Sequence, residues 1–177
     1  MTHSEQIVLV AGTVGDVGAA VAIHDAASAL YAEAGIVFDF ADDHPMAVYE
    51  CAAWARRAAG GGLFFAVCDS VRVGFVALGT QDGEAYLEQI AVLPTHMRRG
   101  IGTVLMEKTI AWSRQRGSRA LWLTTYDHVP WNRAYYERFG FEAVPAENWG
   151  ADVATVIAFQ RRHLPLSDRR IVVCKAI

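Results

Sequence analysis

Apolar positions along the chain change period several times, and each change marks an element. Residues 7–10, Ile-Val-Leu-Val, form a short apolar run suited to a strand. From 14 to 34 the spacing turns helical through an Ala-rich stretch, and Gly35 stands where such a helix would stop. A second helix is expected from Pro45 to Arg57 or Ala58, with Asp43 or His44 as its cap and Gly60-Gly61-Gly62 as its break. Leu63–Cys68 and 71–78 are rich in aromatic and β-branched residues around Asp69-Ser70, the signature of an antiparallel hairpin. Gln81-Asp82-Gly83 makes the next turn and Glu84–Val92 a third strand. A glycine-containing loop then opens a long helix from 100 to about 116, ended by Gly117. A strand at 120–125, a helix at 130–139 begun by proline and a strand at 141–144 follow. After Pro145 the pattern is weak until the clear final strand, Arg170–Ala176. Helices mixed with central hairpins predict an α+β domain around one sheet, and nothing in residues 1–177 divides it.

Length and composition fit that picture. A chain of 177 residues, 53% hydrophobic, holds one full core and is too apolar for a disordered segment. A net charge of −3 gives no global basic field, so neither nucleic acid nor an anionic membrane is expected as a partner. Cys51, Cys68 and Cys174 are odd in number and far apart, which argues against a disulfide framework and fits a reducing, cytoplasmic setting. The opening MTHSEQ lacks the basic start of a signal peptide, and no apolar run reaches the length of a membrane span. The charge is nevertheless uneven. Residues 1–55 hold no Lys or Arg but eight acids, among them Asp39, Asp42 and Asp43 between the first two helices. Residues 96–119 hold six basic residues against Glu107 alone. One part of the domain suits a cation and another an anion, unless both are simply solvated faces.

Two glycine motifs compete for the anion. Gly12-Thr13-Val14-Gly15-Asp16-Val17-Gly18 follows the first strand, with Asp39 about 20 residues on, in the outline of a dinucleotide-binding turn. Its GxxGxxG spacing is weak, and parallel strand–helix–strand units do not follow it. The second, Arg98-Arg99-Gly100-Ile101-Gly102-Thr103, lies between a strand and a long helix. Glycines there let successive N–H groups converge at a helix N-terminus, with two arginines adding charge, which makes a pyrophosphate cradle. No Lys-Ser/Thr pair follows the glycines, which disfavours phosphoryl transfer from ATP. The six histidines show neither HxxxH nor HExxH, so no metal is expected. No serine sits in a GxSxG elbow.

The surroundings of the second motif carry a resemblance. Leu87-Glu88-Gln89-Ile90-Ala91-Val92-x-Pro94, then Arg98-Arg99-Gly100-Ile101-Gly102, then Tyr135-Tyr136-Glu137-Arg138-Phe139-Gly140-Phe141 resembles the GNAT superfamily of acyl-CoA-dependent N-acetyltransferases. It covers roughly residues 63–144, and the segment Val129-Pro130-Trp131-Asn132 looks like one branch of that family. The resemblance implies a single mixed, mostly antiparallel sheet with helices on both faces and acetyl-CoA as co-substrate. Ile90, Ala91 and Val92 would exchange backbone hydrogen bonds with the pantetheine arm at a splayed, bulged strand. The pyrophosphate would rest on the amides of Arg98, Arg99, Gly100, Ile101, Gly102 and Thr103. Met97 departs from the Arg or Gln usual at that place. Asn132 would contact the cofactor in place of an Asn that the family often has where Val129 stands here.

The resemblance further implies that Tyr136 protonates the departing thiolate and leaves Tyr135 as its buried alternate. Glu88 stands where many relatives hold a catalytic carboxylate, with Asp127, His128 or water as rival bases. The expected activity is acetyl transfer to a primary amine, small-molecule or peptide, by direct attack; the other reading is a non-catalytic acyl-CoA sensor or interaction module. A homodimer is left open.

Overall fold

The computed structural model describes residues 6–177, so that all but Gln6 of the MTHSEQ opening lies outside the described residues. Seven strands form one sheet in the order β1-β2-β3-β4-β5-β7-β6. They are β1 (Val8–Ala11), β2 (Leu63–Cys68), β3 (Val71–Gln81), β4 (Glu84–Val92), β5 (Ala120–Tyr126), β6 (Glu142–Ala143) and β7 (Arg170–Ala176). All neighbours are antiparallel except β4 and β5. The β2–β3 turn has Asp69 and Ser70 both at positive φ (47° and 65°), and the β3–β4 turn has Asp82 and Gly83 likewise (51° and 79°). Turns of that hand match the twist of the strands they join.

The sheet is covered on both sides. Helix α3 (Ile101–Gln115) buries Ile101, Leu105, Met106 and Trp112 on one face, where Tyr135 and Tyr136 of α4 (Pro130–Arg138) and Phe139 just after it also pack. On the other face, α1 (Val17–Ser28) and α2 (Pro45–Ala59) bury Ile23, Ala53 and Trp54 against Leu63, Phe65 and Phe75. Beside them lies α5 (Ala151–His163), with Val153, Val156 and Ile157 on Tyr86 and Val172. His44 caps α2, its Nδ1 accepting from Met46 N–H at 3.2 Å, and Pro45 follows at the first helical position.

Three sequence expectations change. The helix expected over 14–34 is α1 with 3₁₀ turns before and after it, ending at Gly35 with φ 77°. Helix α5 fills the stretch after Pro145, where the pattern is weak. The Gly12–Gly18 segment is not a dinucleotide turn: β1 is an antiparallel edge strand, not the first of a parallel set. A Cβ at Gly12 would lie 2.7–2.8 Å from the Phe65 and Leu63 side chains, so this glycine serves core packing. Asp16 fills the loop, accepting from Thr13 N–H at 2.8 Å and from Thr13 Oγ1 at 2.7 Å, and it pairs with Arg72 at 2.6 Å. Those partners hold its pKa down at about 2, so an anionic phosphate would meet a carboxylate there.

Candidate active site

The site begins with a failure of strand pairing. Parallel β4 and β5 are matched only at Ala85↔Leu121 and Tyr86↔Trp122; beyond those pairs the strands part. β3 still pairs with β4 along its far side, up to Gly74↔Val92. Leu93 N–H donates to Val73 O at 2.8 Å, and bonding alternates along an antiparallel strand. The backbone groups of Ile90 and Val92 therefore point away from β3, into the gap. Ile90 N–H is capped there by its neighbour's Gln89 Oε1 at 3.1 Å, a contact that an incoming carbonyl could replace.

The parting coincides with a β-bulge. Ala77 pairs with Gln89 and Leu78 with Leu87, so Glu88 is the extra residue on β4. The bulge resets the alternation of β4. Leu87, Ile90 and Val92 pack on the α3 side, while Ala91 joins the α1–α2 side. The Glu88 carboxylate accepts from Arg57 Nε and Nη2 at 3.1 and 2.7 Å on Oε2, and from Tyr49 Oη at 2.9 Å on Oε1. Its side chain is only 3% exposed and that of Arg57 15%. Both oxygens are thus occupied, and neither Arg57 nor Tyr49 was singled out from the sequence.

At the far end of β4 the chain turns through Arg98 (φ 61°) and Gly100 (φ 83°) into α3. Two left-handed residues so close together gather amides at the helix N-terminus, which is an anion cradle. Gly100 takes this φ without strain. Gly102 is packed: a Cβ there would sit 3.4 Å from Tyr135, whose hydroxyl donates to Gly102 O at 2.6 Å. Tyr135 thereby ties α4 to the cradle, and Arg138 reaches Thr103 Oγ1 at 3.5 Å. Met97, 40% exposed, takes no part in the core.

Tyr136 packs against the same core cluster as Ile90 and Val92, and its hydroxyl makes no hydrogen bond among the described residues. Burial pushes its pKa well above 10, so it keeps its proton at neutral pH. The Asn132 amide, expected toward a cofactor, donates to Tyr31 Oη at 2.9 Å and Thr125 Oγ1 at 3.2 Å, joining α4 to β5 and to the segment after α1. Asp127 and His128 lie beyond β5; the two side chains approach to 3.8 Å, and Asp127 pairs with Arg169 at 3.2 Å. His128 Nε2 lies 3.3 Å from Ala34 O.

On the α1–α2 side a cavity of about 340 Å³ opens, lined in part by Asp25, Asp39, Asp42, Glu50, Phe40 and Trp54. Neither lysine nor arginine lines it. Asp43, read with Asp39 and Asp42 as a cation-attracting set, is not among its walls. No group of His, Cys, Asp and Glu among the described residues is arranged to hold a metal ion, and none of their helices is long and apolar enough to cross a membrane.

A strand that parts at a bulge beside a glycine-rich helix start defines an acetyltransferase fold, and comparison with known proteins agrees. Residues 24–141 match the model of the acetyltransferase (GNAT) family, and the chain belongs to that family. It is similar to the [ribosomal protein bS18]-alanine N-acetyltransferase of Haemophilus influenzae, 33% identical over 93 residues; the match spans 49% of this chain and 63% of that relative. Among solved structures, the PaiA N-acetyltransferase of Thermoplasma acidophilum in complex with coenzyme A shares the fold at TM-score 0.70 and 14% identity, over 97% of this chain and 99% of that one. The ribosomal-protein-S18-alanine N-acetyltransferase of Escherichia coli does so at 0.69 and 21%, over 97% and 94%.

Proposed function

We propose that this protein is an N-acetyltransferase that moves the acetyl group of acetyl-CoA onto a primary amine by direct attack. The observation that carries this reading is the open edge of β4 on the side of the sheet where Tyr136 also packs, with a hydroxyl that keeps its proton and makes no hydrogen bond among the described residues. In this reading the backbone of Ile90, Ala91 and Val92 holds the pantetheine arm as a substitute strand. The amides of Arg98, Arg99, Gly100, Ile101, Gly102 and Thr103 hold the pyrophosphate, with the two arginines adding charge. Asn132 keeps α4 in register at the mouth of the gap. Orientation of both reactants supplies much of the rate, and a backbone N–H near Val92 polarises the thioester carbonyl.

The amine nitrogen attacks the thioester carbon, and the tetrahedral adduct collapses as the C–S bond breaks. Tyr136 gives its proton to the departing thiolate and regains one from the acylated nitrogen through water. Glu88 places a fixed negative charge beside the attacking amine, with Arg57 and Tyr49 holding its two oxygens. The acceptor is a cationic amine, a reading supported by the carboxylates along the α1–α2 cavity, since such a lining concentrates cations. The curated relative acts, by its name, on a protein's alanine, which fits an amine acceptor.

Thermal-shift titration tests the cofactor assignment. Acetyl-CoA, binding only the native state, should raise Tm by an amount that grows with its concentration. NADH should not. Stabilisation by NADH alone would overturn the assignment. Release of CoA thiol with a panel of amines then separates the enzyme from an acyl-CoA sensor, which would bind without turnover.

A further inference from the structure

Two consecutive arginines lead into β7 and meet opposite surroundings. Arg169 lies at the surface, where it pairs with Asp127 at 3.2 Å. Arg170 is 9% exposed and pairs with no carboxylate among the described residues. Its Nη2 donates to two neutral oxygens, Thr124 Oγ1 at 2.7 Å and Gln160 Oε1 at 2.9 Å, and its Cζ stands 4.7 Å from the centre of the Tyr126 ring. Nε is sealed and donates to nothing; Nη1 donates to nothing among the described residues and is not sealed. An arginine keeps its proton even when buried, so a guanidinium without a counter-charge burdens the fold unless something supplies one.

Arg170 also stands where the sheet opens. It shares a face of β7 with Val172, the face on which α5 packs, and sits opposite Tyr126 at the end of β5. That end of β5 lies beyond Tyr86↔Trp122, the last match between β4 and β5. Thr124 Oγ1, which accepts from Arg170, is also 3.4 Å from Tyr86 Oη. The guanidinium is thus moored where the gap begins, and Arg161 Nη2 holds its backbone by donating to Arg170 O at 3.0 Å. Its positive charge lowers the pKa of the Tyr31, Tyr86 and Tyr136 hydroxyls against the rise that burial gives them. Glu50 feels the same charge but does not pair with it. The proposed proton donor, on the α3 side of the sheet, and this cation, on the α5 side, belong to one electrostatic neighbourhood.

We infer that Arg170 is a specificity-determining residue that binds a carboxylate of the acceptor, so that the acceptor is a small zwitterion carrying a primary amine and a carboxylate. The inference rests on the acetyltransferase reading above and adds an anionic group to its amine. A carboxylate on Nη1 supplies the charge that the fold withholds, while Thr124 and Gln160 hold the planar fork still. A neutral amide in its place would leave the guanidinium as unpaired as it is in the free protein.

The test compares acceptors that differ only in that group: L-alanine with L-alaninamide, L-aspartate with L-asparagine, and L-glutamate with L-glutamine. The first pair varies the α-carboxylate, the other two a side-chain carboxylate. Wild type should favour the acid of at least one pair by about 10-fold or more in kcat/KM per free amine, since a site built around a buried polar group rejects an analogue that leaves it unpaired. In Arg170→Gln that ratio should fall toward one, with the KM for acetyl-CoA held. Gln160→Glu keeps the arginine and places a carboxylate where the amide oxygen now lies 2.9 Å from Nη2, so the ratio should collapse there too. This second variant separates a lost charge from a disturbed fold: a merely structural arginine would be served by a built-in partner, and the acid preference would be untouched. Thermal shift with CoA in place of acetyl-CoA reads binding without turnover; the acid should raise Tm in wild type, and neither variant should respond. Amides turned over as readily as acids in all three pairs, or an acid preference that survives in either variant, overturns the proposal. If wild type responds to the acid in the thermal shift yet releases no CoA with any of the six, the transferase reading fails and the carboxylate seat stands.

Discussion

Tyr136→Phe should lower kcat by roughly 10²–10⁴-fold while acetyl-CoA affinity stays within about twofold, since the change removes a proton donor and keeps the ring. The ring packs in the α3–α4 core and stands 5.7 Å from Phe141, so the phenylalanine fills the same space. The hydroxyl makes no hydrogen bond that the fold would miss. Its proton is secure at neutral pH because burial disfavours the phenolate. Tyr135→Phe is the contrast. It removes the 2.6 Å hydrogen bond to Gly102 O that anchors the cradle, and should cost about 0.5–1.5 kcal/mol of stability with a weaker effect on the chemical step. Single-turnover kinetics beside a binding titration measure both. A Tyr136→Phe enzyme within about threefold of wild type in kcat would assign the acid role to water or to another residue.

What could be read from the chain without coordinates divides along a physical line. Local signals carried through. Asp69-Ser70 announced a hairpin because a short polar pair interrupts two runs of aromatic and β-branched residues. Pro45 after His44 announced the start of α2, and Gly100 and Gly102 marked the cradle because convergent amides need glycine close by. Helix α5 was hidden for a local reason as well. Its buried stripe Val153, Val156, Ile157 and Gln160 has helical spacing, but Thr155 and those β-branched residues favour strands, and Gly150 offers no side-chain cap. Gly12 misled because its lack of a side chain makes room for Phe65 and Leu63, not for a phosphate.

Other parts of the site depend on chain segments that meet only in the fold. Glu88 could be placed on the strand before Ile90, but not its partners, because Arg57 and Tyr49 lie 31 and 39 positions away. Glu50 looks like any acid on a helix until the packing of α1 and α2 half-buries it on a cavity wall beside Asp25, Asp39 and Asp42. The acid-rich first 55 residues pointed toward a cation. Only the fold tells which of those acids share one cavity.

The Arg57–Glu88 pair should prove the most fragile structural element of the site. Arg57→Met keeps much of the side-chain volume and leaves the Glu88 carboxylate buried with Tyr49 as its remaining donor. Removing one partner from a buried pair costs about 3–5 kcal/mol, because the other charge stays desolvated. In a domain of this size, that corresponds to a Tm lower by roughly 6–20 °C at neutral pH. Glu88→Gln in the same background should recover part of it, since a neutral amide is cheaper to bury and can still accept from Tyr49. Attraction between the buried charges thus predicts a large coupling in the double-mutant cycle. Arg57 acting only through the packing of its aliphatic stem on the sheet predicts additive losses. Denaturant unfolding of the four proteins at pH 8 measures the difference, and a cycle without coupling would show that the ion pair does not hold α2 against the bulge.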